Sequence, residues 1–202
     1  MTTVPILNPA LRLGCLVCLW SATALGAGEP IPLDIGSRRE LLVDDFLLDR
    51  REGVELRLHA PTPREVVLVC DAPWEGSGCG YETVFRDGDR IRMYTLRMDG
   101  FVSLHAARVG EFVTKPLRFR GRDLTLNFAT SAAGYIHVEL QDAGGQPLPG
   151  WALSDSDELF GDALERVVTW HNKPDVSTLA GQPIRLRVVM RDADLYSLRF
   201  RE

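Results

Sequence analysis

Lysine is almost missing from this chain of 202 residues: only Lys115 and Lys173 occur, and the other basic residues are arginines scattered among carboxylates. With a formal net charge of -5, no basic stripe is left to neutralise consecutive phosphates, and nucleic acid is not an expected partner. Nucleotide and serine-nucleophile signatures are missing too. No Gly-x-Ser-x-Gly, phosphate loop or dinucleotide fingerprint occurs, so neither nucleophilic serine chemistry nor a nucleotide cofactor is expected. Histidine is confined to positions 59, 105, 137 and 171, with no close spacing to a second ligand, so no histidine-based metal centre is expected.

Cysteine is scarce, with four in the chain, and two of them lie in the one long apolar run. That run, "LGCLVCLWSATALGA" after Arg12, ends in small residues. This is the order of a secretory signal peptide over 1–27, cleaved after Ala24 or Ala27. It falls short of the roughly 20 apolar residues of a membrane span. A buried N-terminal helix is the alternative. Neither Cys15 nor Cys18 follows a lipoprotein pattern, so the mature protein is expected to be secreted or periplasmic, without a membrane span. Cys70 and Cys79 then remain, flanking "DAPWEGSG". Export permits a disulfide between them, and two unrelated thiols fit equally well.

The remainder is ordinary globular material, 45% hydrophobic and 25% charged, able to bury a core in one or two domains. From residue 31 onward, short apolar runs of period two alternate with turn residues, which argues for β-structure. "LLVDDFLLD" (41–49) satisfies both strand and helix periods. "VELRLHA" (54–60) and "EVVLVCD" (65–71) read as strands, and "TVFRDGDRIRMY" as a hairpin turning at Asp87-Gly88. "RIRMYTLRMDGFVSL" (90–104) has the local pattern of a further hairpin turning at Asp99-Gly100.

Beyond residue 95 the expected strands are 101–106, 111–119, 123–130, 135–142, 165–170, 183–192 and 195–201. Seven or so short strands with frequent turns suggest an antiparallel sandwich. Only "DELFGDALE" (157–165) has helical character.

The segments "LLVDDFLLD" and "PWEGSGCGYETVFRDGDRIRMY" resemble the opening blade of secreted bacterial proteins related to the five-bladed β-propeller glycoside hydrolases, the invertase-like and arabinanase-like groups. From "LRMDGFVSL" through "GRDLTLNFATSAAGYIHVELQDAGGQPLPGW" to "RDADLYSLRF", the chain resembles the β-sandwich that follows the propeller in those proteins. The resemblance implies an all-β chain: a signal peptide (1–27), a partial propeller blade (28–94) and a jelly-roll-like antiparallel β-sandwich (95–202). A five-bladed propeller needs about four strands per blade, and 31–94 holds only one blade's worth. The point between Tyr94 and Leu96 therefore reads as a seam left by an internal deletion.

Glycoside hydrolysis normally uses two carboxyl groups, about 5–5.5 Å apart for retention and about 6.5–9.5 Å for inversion. The resemblance implies carboxylates from different blades meeting at a central channel, most of them in the missing part. Asp45 or Asp44, beside an apolar strand, is the candidate for a surviving catalytic carboxylate; a solvated pair at a strand edge is the alternative. As it stands, the chain is expected to be without glycosidase turnover.

Carbohydrate is the expected partner. Sugar rings pack on aromatic faces while carboxylates take their hydroxyls, which singles out Trp74, Tyr81 and Glu82 in the first half. Trp151, Trp170 and Tyr196 are the corresponding candidates in the second, for a non-catalytic binding or docking module. Asp155, Asp157 and Asp162 cluster in "SDSDELFGD", either as calcium ligands or as a solvated acidic loop capping a short helix. Asp192 and Asp194 are expected to form a tight turn between two strands.

Overall fold

The computed structural model describes residues 31–69, 86–87 and 90–202. The expected signal peptide, the pair Cys70 and Cys79, and the candidates Trp74, Tyr81 and Glu82 lie outside the described residues. The described chain is all-β. Its strands are β1 (Leu33–Gly36), β2 (Arg39–Leu41), β3 (Leu48–Glu52), β4 (Glu55–Leu58), β5 (Thr62–Val69), β6 (Arg86–Asp87), β7 (Arg90–Thr95), β8 (Val102–Ala106), β9 (Gly110–Thr114), β10 (Leu117–Phe119), β11 (Asp123–Asp142), β12 (Asp162–Val167) and β13 (Ile184–Arg201). Among the described residues no helix is long and apolar enough to cross a membrane.

One antiparallel ribbon organises the large sheet. β11 and β13 pair from Asp123 opposite Arg201 to Asp142 opposite Ile184. Alternation along β13 explains why one face is buried: Ile184, Leu186, Val188 and Met190 point inward, and Arg185, Arg187 and Val189 fall between them. β12 flanks β11. Along its other edge β13 meets four short strands in succession, β10, β9, β8 and β2. Beyond these, β1 pairs with β10 in parallel, and β3 and β4 pair with β9 and β8.

The long strands all bend along one line. Pairing is interrupted at 131–134 in β11, at 107–109 between β8 and β9, at 53–54 between β3 and β4, and at Asp192 in β13. Asp192 takes φ +45° and Gly53 φ +66°. A Cβ on Gly110 would stand 2.5 Å from the Gly53 carbonyl oxygen, and one on Gly134 would stand 2.8 Å from that of Arg191. These are backbone approaches that only glycine permits. Both halves of each bent strand contribute to a single hydrophobic cluster, an arrangement compatible with a β-sandwich. At its centre Phe119 stacks on Phe200, ring centroids 3.8 Å apart.

Four expectations change. The segments read as separate strands at 123–130 and 135–142, and at 183–192 and 195–201, are two continuous strands, so Asp192 and Asp194 form no tight turn. Residues 157–165 are not helical: Leu159 bridges Ile136, Gly161 takes φ +95°, and β12 begins at Asp162. "LLVDDFLLD" is neither one strand nor a helix, since 42–47 is irregular between β2 and β3. β7 and β8 do not pair as a hairpin: β7 lies between β5 and β6 in a separate three-stranded sheet, and β8 lies between β4 and β13.

The last point redraws the expected division at residue 94. β1–β4 pair with strands from 102–201, so the large sheet is built from both sides of that line. The three-stranded sheet of 62–95 is an insert between β4 and β8. Host pairing closes around its base, with Leu58 opposite Val102 and the His59 amide donating to the Phe101 carbonyl at 2.9 Å.

Two measurements check this architecture. Gly110→Ala is expected to cost about 1–3 kcal/mol through backbone overpacking, read as a lower denaturation midpoint at unchanged slope. Exchanging residues 63–94 for a short Gly-Ser linker is expected to leave one cooperative unfolding transition, because no strand of the large sheet is removed; loss of that transition would contradict the insert reading.

Candidate functional site at the neck of the insert

The two connections of the insert, 59–61 and 96–101, meet over the outer side of β8 and β13. Where they meet, Tyr196 is displaced from its strand. Asn127 pairs with Ser197 and Phe128 with Leu195, so Tyr196 is the extra residue of a β-bulge. The sequence carries a trace of this: Ala193 and Leu195 are buried in one phase, Leu198 and Phe200 in the other. Bulges re-aim side chains, and this one places Tyr196 among the residues lining an open cavity of about 410 Å³, with His59, Thr62, Arg64, Thr95 and Arg97. The Arg97 guanidinium lies 4.8 Å from the Tyr196 ring centroid, a cation–π distance, and the His59 ring is tilted at 5.3 Å.

A polar network fixes the floor of this cavity. Asp99 ends the strand-to-strand link at φ +61°, in a turn closed by the Gly100 amide donating to the Arg97 carbonyl at 2.9 Å. Its Oδ2 accepts from Ser197 Oγ at 2.7 Å, Arg39 Nη1 at 2.9 Å and Asn127 Nδ2 at 3.3 Å. Arg97 is held on all sides. Its Nε donates to Asn127 Oδ1 at 2.7 Å, its Nη2 to the carbonyls of Phe128 and Ala163 at 2.9 and 2.7 Å, and its Nη1 pairs with Asp162. Burial pushes the Asp99 carboxyl upward, but hydrogen bonds from Ser197, Arg39 and Asn127 outweigh it and hold the group below its usual range. Burial, followed by the nearby Asp194 charge, raises the Tyr196 phenol above its usual value.

Behind the cavity, Asp194 gathers three strands. Its Oδ1 accepts from Ser103 Oγ at 2.6 Å and from His105 Nδ1 at 3.0 Å, and Arg57 Nη1 lies 3.9 Å from Oδ2. His59 Nε2 is 2.9 Å from Ser103 Oγ. Serine, histidine and aspartate thus meet in the wrong order for a nucleophile. The hydroxyl is fully buried and gives its proton to the carboxylate rather than to an imidazole, whereas activation requires the imidazole as base. The cluster ties β4, β8 and β13 together.

The residues singled out from the sequence fall in several places. Asp44 accepts from the Phe46 amide at 2.8 Å, and Asp45 pairs with Arg51 at 3.2 Å. Both carboxylates are exposed in the irregular 42–47 segment. Trp170 is 2% exposed, with Nε1 donating to the Val138 carbonyl at 2.8 Å; it is a core residue with no face for a sugar. Trp151 packs partly buried against the same core. Of the three aromatics in the second half, Tyr196 alone reaches the cavity.

The acidic loop resolves into separate roles. Asp155 faces His171 at 3.2 Å, Asp157 accepts from Thr169 Oγ1 at 2.6 Å and from the Asn172 amide at 2.7 Å, and Asp162 pairs with Arg97. Among the described residues, no group of three histidine, cysteine or acidic side chains is arranged to hold a metal. The short turn Leu153–Asp155 that Asp155 caps is 3-10 in geometry.

Asp99, Asn127 and Arg97 were not singled out. An Asp-Gly pair reads as turn chemistry, and only the polar Asn127 inside the otherwise apolar "LTLNFA" signals that its strand meets a polar group. Comparison with protein-family models, with curated proteins and with solved structures finds no match.

The network makes stability depend on pH. The folded pKa of Asp99 lies below the ordinary value of 3.8, so its contribution is complete above that value and is lost as pH falls through the folded pKa. Asp99→Asn, which tolerates the same positive φ, is expected to unfold with a shallower acid limb below about pH 4 and a lower midpoint at pH 7, both measurable by denaturant titration across pH. An acid limb as steep as that of the parent would remove Asp99 from the account.

Proposed function

We propose that this chain is a saccharide-recognition protein related to the secreted propeller-type glycoside hydrolases, without turnover as it stands, and that the neck cavity is its binding site. The observation that carries the reading is Tyr196. A bulge takes it out of strand register, and although only 7% exposed it borders a cavity of about 410 Å³, a volume suited to one or two sugar units. His59, Arg64 and the hydroxyls of Thr62 and Thr95 line the same space, supplying the hydrogen-bonding groups that a polyhydroxylated ligand needs.

The way the described carboxylates are used supports a lack of turnover. Asp45 is tied to Arg51, Asp44 closes a turn, and Asp194 is a cross-strand acceptor beneath the cavity. Each of these three is engaged in a structural contact, whereas glycosidic cleavage takes two carboxyl groups facing each other across the bond. The truncated-family reading also accounts for apolar surface around the neck. Leu58 is 83% exposed and Phe101 64%, at the two positions where a larger insert would rest on the host sheet. Export through the N-terminal apolar run belongs to the same reading.

Titration with a panel of neutral and charged oligosaccharides, followed by amide chemical shifts, tests the proposal. The expected result is saturable shifts confined to 59–64, 95–101 and 194–197, with no release of reducing ends. Failure of every sugar to shift these signals would remove the binding site. Hydrolysis by the purified chain that disappears in Asp45→Ala would overturn the lack of turnover.

A further inference from the structure

Among the described residues, those lining the neck cavity include two arginines and a histidine but no carboxylate, in a chain where acidic residues outnumber lysine and arginine by 28 to 23. The two arginines are in different states. Arg97 has every nitrogen engaged, and its charge is matched by Asp162. It is a fixed wall, with its flat face against Tyr196. Arg64 donates through Nε to Thr95 Oγ1 at 2.8 Å, a contact made at the base of the insert, where Thr62 is opposite Thr95. This leaves both terminal nitrogens of a positioned guanidinium at the cavity. Among the described residues no carboxylate lies within ion-pair distance of it.

The other charges around the site do not change this balance. Asp194 shares its charge with Ser103, His105 and Arg57, and Asp99 faces Arg39 on the far side of the turn. Among the described lining residues, the positive charge open to a ligand is therefore that of Arg64. A guanidinium held through Nε presents its remaining N–H groups as a fork, which matches the two oxygens of a carboxylate.

Resting on the reading of the cavity as a saccharide site, we propose that it selects acidic saccharides, with Arg64 pairing to the carboxylate of a hexuronate unit while Tyr196, His59 and Thr95 meet the ring and its hydroxyls.

The test compares digalacturonate with the neutral digalactoside of the same linkage, titrated calorimetrically into the full chain at low salt, with sodium acetate as the plain anion. The acidic disaccharide is expected to bind at least tenfold more tightly than the neutral one, and acetate far more weakly than either. Arg64→Gln is expected to abolish the difference between the two sugars, and Arg64→Lys to keep part of it.

Equal affinity for the two sugars, or a preference that survives Arg64→Gln, would overturn the selectivity and leave the saccharide site standing. Acetate binding as tightly as digalacturonate would reduce the cavity to an anion site and overturn it as well. Binding of neither sugar would fell the saccharide reading itself, and the selectivity with it. Arg64 is exposed at the edge of the insert and packs in no core, so loss of folding does not confound the variants; an unchanged unfolding midpoint verifies this.

Discussion

The large sheet depends on a line of close backbone contact that crosses four neighbouring strands. At 53–54, 107–109, 131–134 and 192 the regular ladder is interrupted at the same level, and glycines at 53, 110 and 134 let the backbones approach where a Cβ would collide. A strand bent alone would lose ladder hydrogen bonds to straight neighbours. Bent together, the strands keep their pairing on either side of the line and turn both halves of one apolar face toward a common core. Burial of each large side chain there is worth about 1.5–3 kcal/mol, and all of it presupposes the bend.

The neck is the second consequence of this geometry. On one side of the bend, β4 and β8 run side by side to the point where the insert leaves and returns. The polar groups gathered there are not a loose surface cluster. Asp99, Asn127, Ser197 and Arg39 form a partly buried set in which one carboxylate oxygen gathers donors from three side chains, and buried polar networks stabilise when their members are satisfied. Its effect is to lock the returning connection, so that Arg97 and Tyr196 present a fixed surface to the cavity.

The all-β class was legible because alternation is local: "PIRLRVVM" announces a half-buried strand without reference to any neighbour. Continuity was not legible. "TSAAG" and "RDAD" carry turn residues, and only the adjacent strands bending at the same level keep them within β11 and β13. The division of the chain was hidden for a similar reason. β2 finds its partner at 197–199, a pairing that no window of sequence contains. At the site, Tyr196 was visible as an aromatic near polar residues, and its bulge left a phase break at Ala193-Leu195 against Leu198-Phe200. Trp170 was misjudged because a tryptophan whose N–H finds a backbone carbonyl is as much at home in a core as on a binding surface. Arg97 and Asp99 escaped notice because each looks like an ordinary turn residue until its distant partners are known.

The split of the host sheet around its insert has a consequence for how the chain is made. During synthesis β1–β4 emerge first, yet every strand they pair with lies beyond residue 101. Contacts of such sequence separation form slowly, because loop closure precedes any gain from pairing. β4, β3 and β1 therefore wait, exposed, until β8, β9 and β10 have left the ribosome, and β2 waits longer, for β13. Whatever length of chain is inserted at the neck sets the length of that wait, and a short insert shortens the interval in which four unpaired edges are available to the wrong neighbour.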